Sequence, residues 1–152
     1  MRRQQGFSLI EILITMLLMS VGLLGIAGII LTNLKNNQSS QARGQATILV
    51  NDIVDRMRAN RTTAETVDAD GNSPYTLAIG GEPPAGNGVV ATDLTQWRAA
   101  LKQSIPKGDG SVTYKADTRK FTIVLQWDDS RVKADATTYG PTAQTITVET
   151  QL

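Results

Sequence analysis

The chain has 152 residues, 41% apolar and 19% charged, enough for one modest globular core beside an anchor. It contains no cysteine and no histidine, so a disulfide frame is excluded and the commonest general base and metal ligand are missing. The formal charge of +1 conceals an uneven distribution along the chain.

A basic hexamer, Met1 to Gly6, opens the chain and carries Arg2 and Arg3. Phe7-Ser8-Leu9-Ile10-Glu11 follows, and the 23 residues from Ile12 to Leu34 hold no charge. A helix of that length crosses a bilayer, and the arginines before it place the N-terminus on the cytoplasmic side. Glu11 is the anomaly. A carboxylate in such a segment costs about 2.5–3.5 kcal/mol on insertion scales, so it needs a partner. No residue of the run can be that partner, which must therefore come from cleavage or from another chain. A secretory signal has an apolar core of only about 7–15 residues, and a plain single-pass anchor leaves Glu11 unexplained.

The leader ending in Gly6 and the sequence Phe7-Ser8-Leu9-Ile10-Glu11 resemble the start of type IV pilin-like proteins. The resemblance implies that a prepilin peptidase cuts between Gly6 and Phe7 and N-methylates the new Phe7 amine. It also implies that Glu11 pairs with the Phe7 ammonium, classically that of the neighbouring subunit, as the chain docks into a filament. Opposite charges attract strongly in a low dielectric and each is expensive there alone, which agrees with such a pair. Many pilins close a C-terminal loop with a disulfide, whereas this chain must hold its head by packing and pairing.

Gly22, Gly25 and Gly28 recur every third residue, the pattern of a close-packing groove in a membrane helix; a second reading is local melting inside a filament. Lys35 to Gln41 is polar, after which Ala42, Ala46, Leu49 or Val50, Ile53 and Met57 form an apolar stripe on one helix face. One helix from about Phe7 to about Arg61 is predicted, ~80 Å long at ~1.5 Å per residue. Its end reads Arg56-Met57-Arg58-Ala59-Asn60-Arg61. The arginines suit a solvated helix C-terminus, where cations are favoured by about 0.3–1 kcal/mol. The hexapeptide together with Gly22-Leu23-Leu24-Gly25 is similar to the PilV branch of minor pilins.

From Thr62 to Ala91 the composition is that of turns and loops. The glycines Gly80, Gly81, Gly86 and Gly88 lack the Lys-Ser/Thr of a phosphate cradle, and no helix is expected to start there. A short helix is predicted behind Asp93 as N-cap, with Gln96 three residues on and Leu94, Trp97, Leu101 and Ile105 on one face. Pro106 and Gly108 stop it. A hairpin follows, with Val112, Tyr114 and Ala116 on one strand, a turn at Asp117 to Lys120, and Phe121, Ile123, Leu125 and Trp127 on the other. Thr145 to Thr150 alternates as a last strand. The PilV-like resemblance continues through Trp97, Ile105-Pro106-Lys107-Gly108-Asp109-Gly110 and Trp127-Asp128-Asp129. Three antiparallel strands against the stalk helix make an α+β head, with Trp97, Phe121 and Trp127 in its core. Asp128 and Asp129 read as turn residues rather than as a metal or catalytic pair.

The resemblance thus implies a type IV pilin fold divided into a leader (1–6), a transmembrane or filament-core helix (7–34), an amphipathic stalk helix (35–61) and a globular head (62–152). It implies a non-enzymatic minor pilin that primes pilus assembly and sits at the pilus tip. Expected partners are other minor pilins, the major pilin, the prepilin peptidase, the inner-membrane assembly platform, a tip adhesin, and membrane lipid before assembly. The expected location is the inner membrane of a Gram-negative bacterium, head in the periplasm, and then the extracellular pilus. No cofactor, metal or catalytic residue is expected. The alternative is a minor pseudopilin of a type II secretion system. A DNA-uptake pilin is disfavoured by charge: residues 35–61 carry five bases against two acids, but residues 62–152 carry eight bases against eleven acids. Nucleic acid is therefore not an expected partner.

Overall fold

The computed structural model describes residues 6–128 and 143–152, which fall into two compact units divided between Gln38 and Ser39. Helix α1 spans Leu9–Ala59 and contributes to both. In the first unit every residue from Gly6 to Leu34 is exposed, including eighteen large apolar side chains between Phe7 and Leu34. A continuous apolar surface of this size requires a cover of lipid or protein, and the helix is long and apolar enough to cross a membrane.

In the second unit α1 behaves differently. Ala42, Ala46, Leu49, Val50, Ile53, Val54 and Met57 are buried, at the spacings of three and four that put one helix face into a core. After Ala59 the chain breaks at Asn60 and makes one further turn, α2 (Arg61–Ala64). Helix α3 (Val89–Ser104) buries Leu94, Trp97 and Leu101, and strands β1 (Asp109–Lys115), β2 (Lys120–Asp128) and β3 (Ala143–Thr150) form an antiparallel sheet in the order β1-β2-β3. Period-two alternation drives Phe121, Ile123, Leu125 and Trp127 of β2 inward, with their neighbours half-buried. The amphipathic half of α1, α3 and this sheet share one core, so the α+β arrangement is as expected.

Three expectations need correction. Helix α3 starts at Val89, directly after the glycine-rich segment and four residues before Asp93. Gly88, extended at φ −71° and ψ 161°, is its N-cap, and Asp93 and Gln96 are interior residues with other partners, described below. Strand β1 begins at Asp109 rather than Val112, and Ala116 lies in the turn beyond it. The segment before α3 is also not all loop surface. Tyr75 and Leu77 are buried, and Leu77 exchanges two backbone hydrogen bonds of 2.9 Å with Val112, adding a one-residue rung outside β1.

The motif after α3 has a packing cause. A Cβ on Gly108 would lie 2.5 Å from the Leu101 carbonyl oxygen, and one on Gly110 would lie 2.6 Å from Cη2 of Trp97. Glycine is needed at both positions because the strand leaves the helix end in direct contact with it.

Candidate functional site

The N-terminal site is built on the first turn of α1. Ser8 precedes the helix, and its carbonyl accepts the N–H groups of Glu11 at 3.1 Å and Ile12 at 3.3 Å. Phe7 is 80% exposed, and among the described residues Gly6 beside it has nothing within 4 Å of where a side chain would begin. Phe7 and Glu11 are four residues apart and line one groove of the helix surface together with Ile12, Thr15, Met16 and Met19. Glu11 is the single acid in this groove and the only one in the first turn.

The rest of the segment is prepared for apolar surroundings. Thr15 Oγ1 donates to the Glu11 carbonyl at 2.6 Å, Ser20 Oγ to Met16 at 2.7 Å and Thr32 Oγ1 to Gly28 at 3.0 Å. Each hydroxyl is thereby satisfied within the helix, as a group facing lipid must be. Gly22, Gly25 and Gly28 have open space where a Cβ would stand, which leaves room for a close neighbour.

A second cluster sits in the head, where the end of α1 meets α3. Arg56 Nε donates to both oxygens of Asp52, at 3.2 and 3.1 Å, while its Nη1 donates to Asp93 Oδ1 at 3.2 Å and Gln96 Oε1 at 2.9 Å. The other Asp93 oxygen accepts the Tyr75 hydroxyl at 2.7 Å, and Asn60 Nδ2 donates to that hydroxyl at 3.2 Å. Asp93 and Gln96, read from the sequence as a capping box, are thus the two residues of α3 that hold Arg56. Burial, helped by the neighbouring Asp93 carboxylate, pushes the Tyr75 hydroxyl up to about 12. Arg56 is raised despite its partial burial by hydrogen bonds and charge attraction from Asp52 and then Asp93.

The remaining arginines of the hexapeptide are also engaged. Arg58 pairs with Asp55 at 3.1 Å, and Arg61 with Glu65 at 2.8 Å. Glu65 also accepts from Arg119 of the β-hairpin turn, and these hydrogen bonds, Arg119 first, hold its carboxyl below the usual carboxylate range. Buried Trp97 donates its indole N–H to the Leu49 carbonyl of α1 at 2.8 Å. Asp128 is held by Lys107 Nζ at 2.6 Å, and its own N–H donates to Pro106 at 3.0 Å; Asp129 lies outside the described residues. Among the described residues no three acidic side chains gather as a metal site would require.

Residues 1–27 match the family described as the prokaryotic N-terminal methylation motif. No curated protein and no solved structure matches the chain. The motif supports a type IV pilin-like subunit of a pilus or a pseudopilus, and subunits of that kind are typically structural. The long apolar helix and small three-stranded antiparallel sheet are consistent with the type IV pilin α+β fold. Type IV pilin-like proteins assemble with other pilins, and a prepilin peptidase processes the motif. The N-terminal apolar helix is compatible with single-pass membrane anchoring.

Proposed function

We propose that the chain is a minor pilin of the PilV type, a non-enzymatic subunit that helps prime type IV pilus assembly and resides at the pilus tip. Residues 1–6 are the leader, 7–34 the membrane or filament-core helix, 35–61 the stalk and 62–152 the head. The observation that carries this reading is the Phe7–Glu11 groove at the start of a helix whose apolar first part, to Leu34, is exposed throughout. Cleavage at Gly6–Phe7 creates an ammonium just ahead of α1, beside the groove that Phe7 and Glu11 line together. The pair can close within one subunit while it waits in the bilayer. It can then exchange to a neighbour's Phe7 on assembly, so that neither charge is left alone in a low dielectric.

Mass spectrometry of the membrane-extracted protein is expected to find N-methylated Phe7 as its first residue; an intact Met1 in cells with active peptidase would overturn the reading. Glu11→Gln and Glu11→Leu are expected to be cleaved normally and stay in the membrane, yet to be lost from sheared pili. Glu11→Leu found in pili at wild-type abundance would show that the carboxylate does not register this subunit. The Phe7–Glu11 chemistry is shared by minor pseudopilins, so cross-linking from the head separates the two systems: capture of pilus subunits supports the proposal, and capture of secretion-system pseudopilins replaces it.

A further inference from the structure

An Asx-Gly step can cyclise: the glycine amide nitrogen attacks the side-chain carbonyl carbon, and only a free amide and a free side chain can reach that geometry. The sequence holds three such steps, Asp70-Gly71, Asn87-Gly88 and Asp109-Gly110. At the first, the Gly71 N–H is committed to the Asp68 carbonyl at 3.1 Å. At the third, the Asp109 carboxylate is pinned by Arg98 at 2.7 Å and by the Gly80 N–H at 2.7 Å, while the Gly110 N–H donates to that same carboxylate at 2.8 Å. Gly110 is also sealed under Trp97.

The middle step has none of these locks. Asn87 and Gly88 are both exposed, and among the described residues no group accepts the Gly88 N–H or bonds the Asn87 carboxamide. No atom lies within 4 Å of the Gly88 Cβ position, and Gly86 just before has a φ of +124° that only glycine adopts readily. We propose that Asn87-Gly88 is a self-modification site of the folded head, where the chain deamidates without an enzyme. The Gly88 nitrogen forms a bond to Asn87 Cγ, and the Cγ–Nδ2 bond breaks with release of ammonia. Water then opens the resulting succinimide at either carbonyl, giving an aspartyl or isoaspartyl residue at position 87.

The new charge falls where the fold accepts it. Gly88 caps α3 without a side-chain hydrogen bond, and the first turn of that helix holds no acid. A carboxylate one residue ahead of the cap faces the positive end of the helix dipole, so the aspartyl product keeps the fold while the head gains a negative charge. The site is independent of the assembly role proposed above.

The test incubates the full chain in detergent at mildly alkaline pH and follows its peptides by fragmentation mass spectrometry. The expected result is a one-dalton gain at Asn87, at a rate close to that of the urea-unfolded chain and faster at higher pH, with Asp70 and Asp109 unchanged. Asn87→Gln is expected to abolish the gain. Gly88→Ala, which meets no neighbour at an ordinary φ of −71°, is expected to slow it in a chain that still folds, with a slightly lower melting temperature from the poorer helix cap. A folded chain whose Asn87 stays intact while the unfolded chain reacts, or a gain that falls first on another asparagine, would overturn the proposal.

Discussion

Gly110 and Tyr75 show two ways in which one residue holds the head. Gly110→Ala would push a methyl group to 2.6 Å from the Trp97 ring and 3.1 Å from Leu101 Cδ1, with both side chains fully buried. Overpacking of that kind costs about 1–3 kcal/mol, and the loss is expected as a lower midpoint in denaturant with an unchanged slope. Tyr75 acts through its hydroxyl. Removing it in Tyr75→Phe leaves Asp93 and Asn60 each short of a partner, at a cost of about 1–3 kcal/mol. Because Tyr75 is shifted from 10.0 to about 12, its contribution is complete below pH 10 and is lost as pH rises toward 12, where the unfolded chain ionises first. Glu65, lowered by Arg119 and Arg61, works at the other end: its contribution is present above the usual carboxylate range and fades as pH falls. Melting temperature followed against pH should decline at both ends. Tyr75→Phe should flatten the alkaline limb, and Glu65→Gln the acid one.

At the scale of the element, α1 was legible because its pattern is long and strongly periodic: the predicted apolar stripe is the buried one, with Val54 added. The hairpin and last strand were legible by period-two alternation. Helix α3 was legible as a helix but not at its start, since an Asp three residues before a Gln reads as a local cap. The carboxylate instead serves Arg56 and Tyr75, 37 and 18 residues away in sequence. Local rules cannot see a partner at that separation. The alternation of Ser73, Tyr75 and Leu77 was a signal of burial that the surrounding turn residues masked. The Arg56 bridge between α1 and α3 is testable as a pair. Arg56→Ala is expected to lower stability by about 1–3 kcal/mol, and a double-mutant cycle with Asp93→Asn should return a coupling energy well above that of an exposed pair.

For the whole molecule, three of the five bases in residues 35–61 are neutralised within the head rather than left as a free basic surface. Arg56, Arg58 and Arg61 each pair with an acid of their own unit, and Arg43 Nη2 donates to Gln144 Oε1 at 2.9 Å. The candidate site itself was readable from the Phe7–Glu11 motif, because it is a local sequence on a local helix. The head cluster was not, because it is assembled from Asn60, Tyr75 and Asp93 of three separate segments. The compact units divide at Ser39, before the first buried residue of α1, Ala42. A chain truncated to start at Ser39 is therefore expected to be soluble and to unfold cooperatively. Insolubility, or a transition without a cooperative midpoint, would show that the head depends on the preceding helix.

The chain's two tryptophans, Trp97 and Trp127, are both buried in the head, and none stands in the apolar helix. Trp97 is additionally tethered by its indole N–H to α1. Intrinsic fluorescence of the intact protein is thus an optical channel for the head alone. Emission maximum and quenching by iodide should report loss of the head's interior even in a bilayer or a filament, where scattering and lipid defeat most other probes. Insertion of the helix itself should leave that signal still.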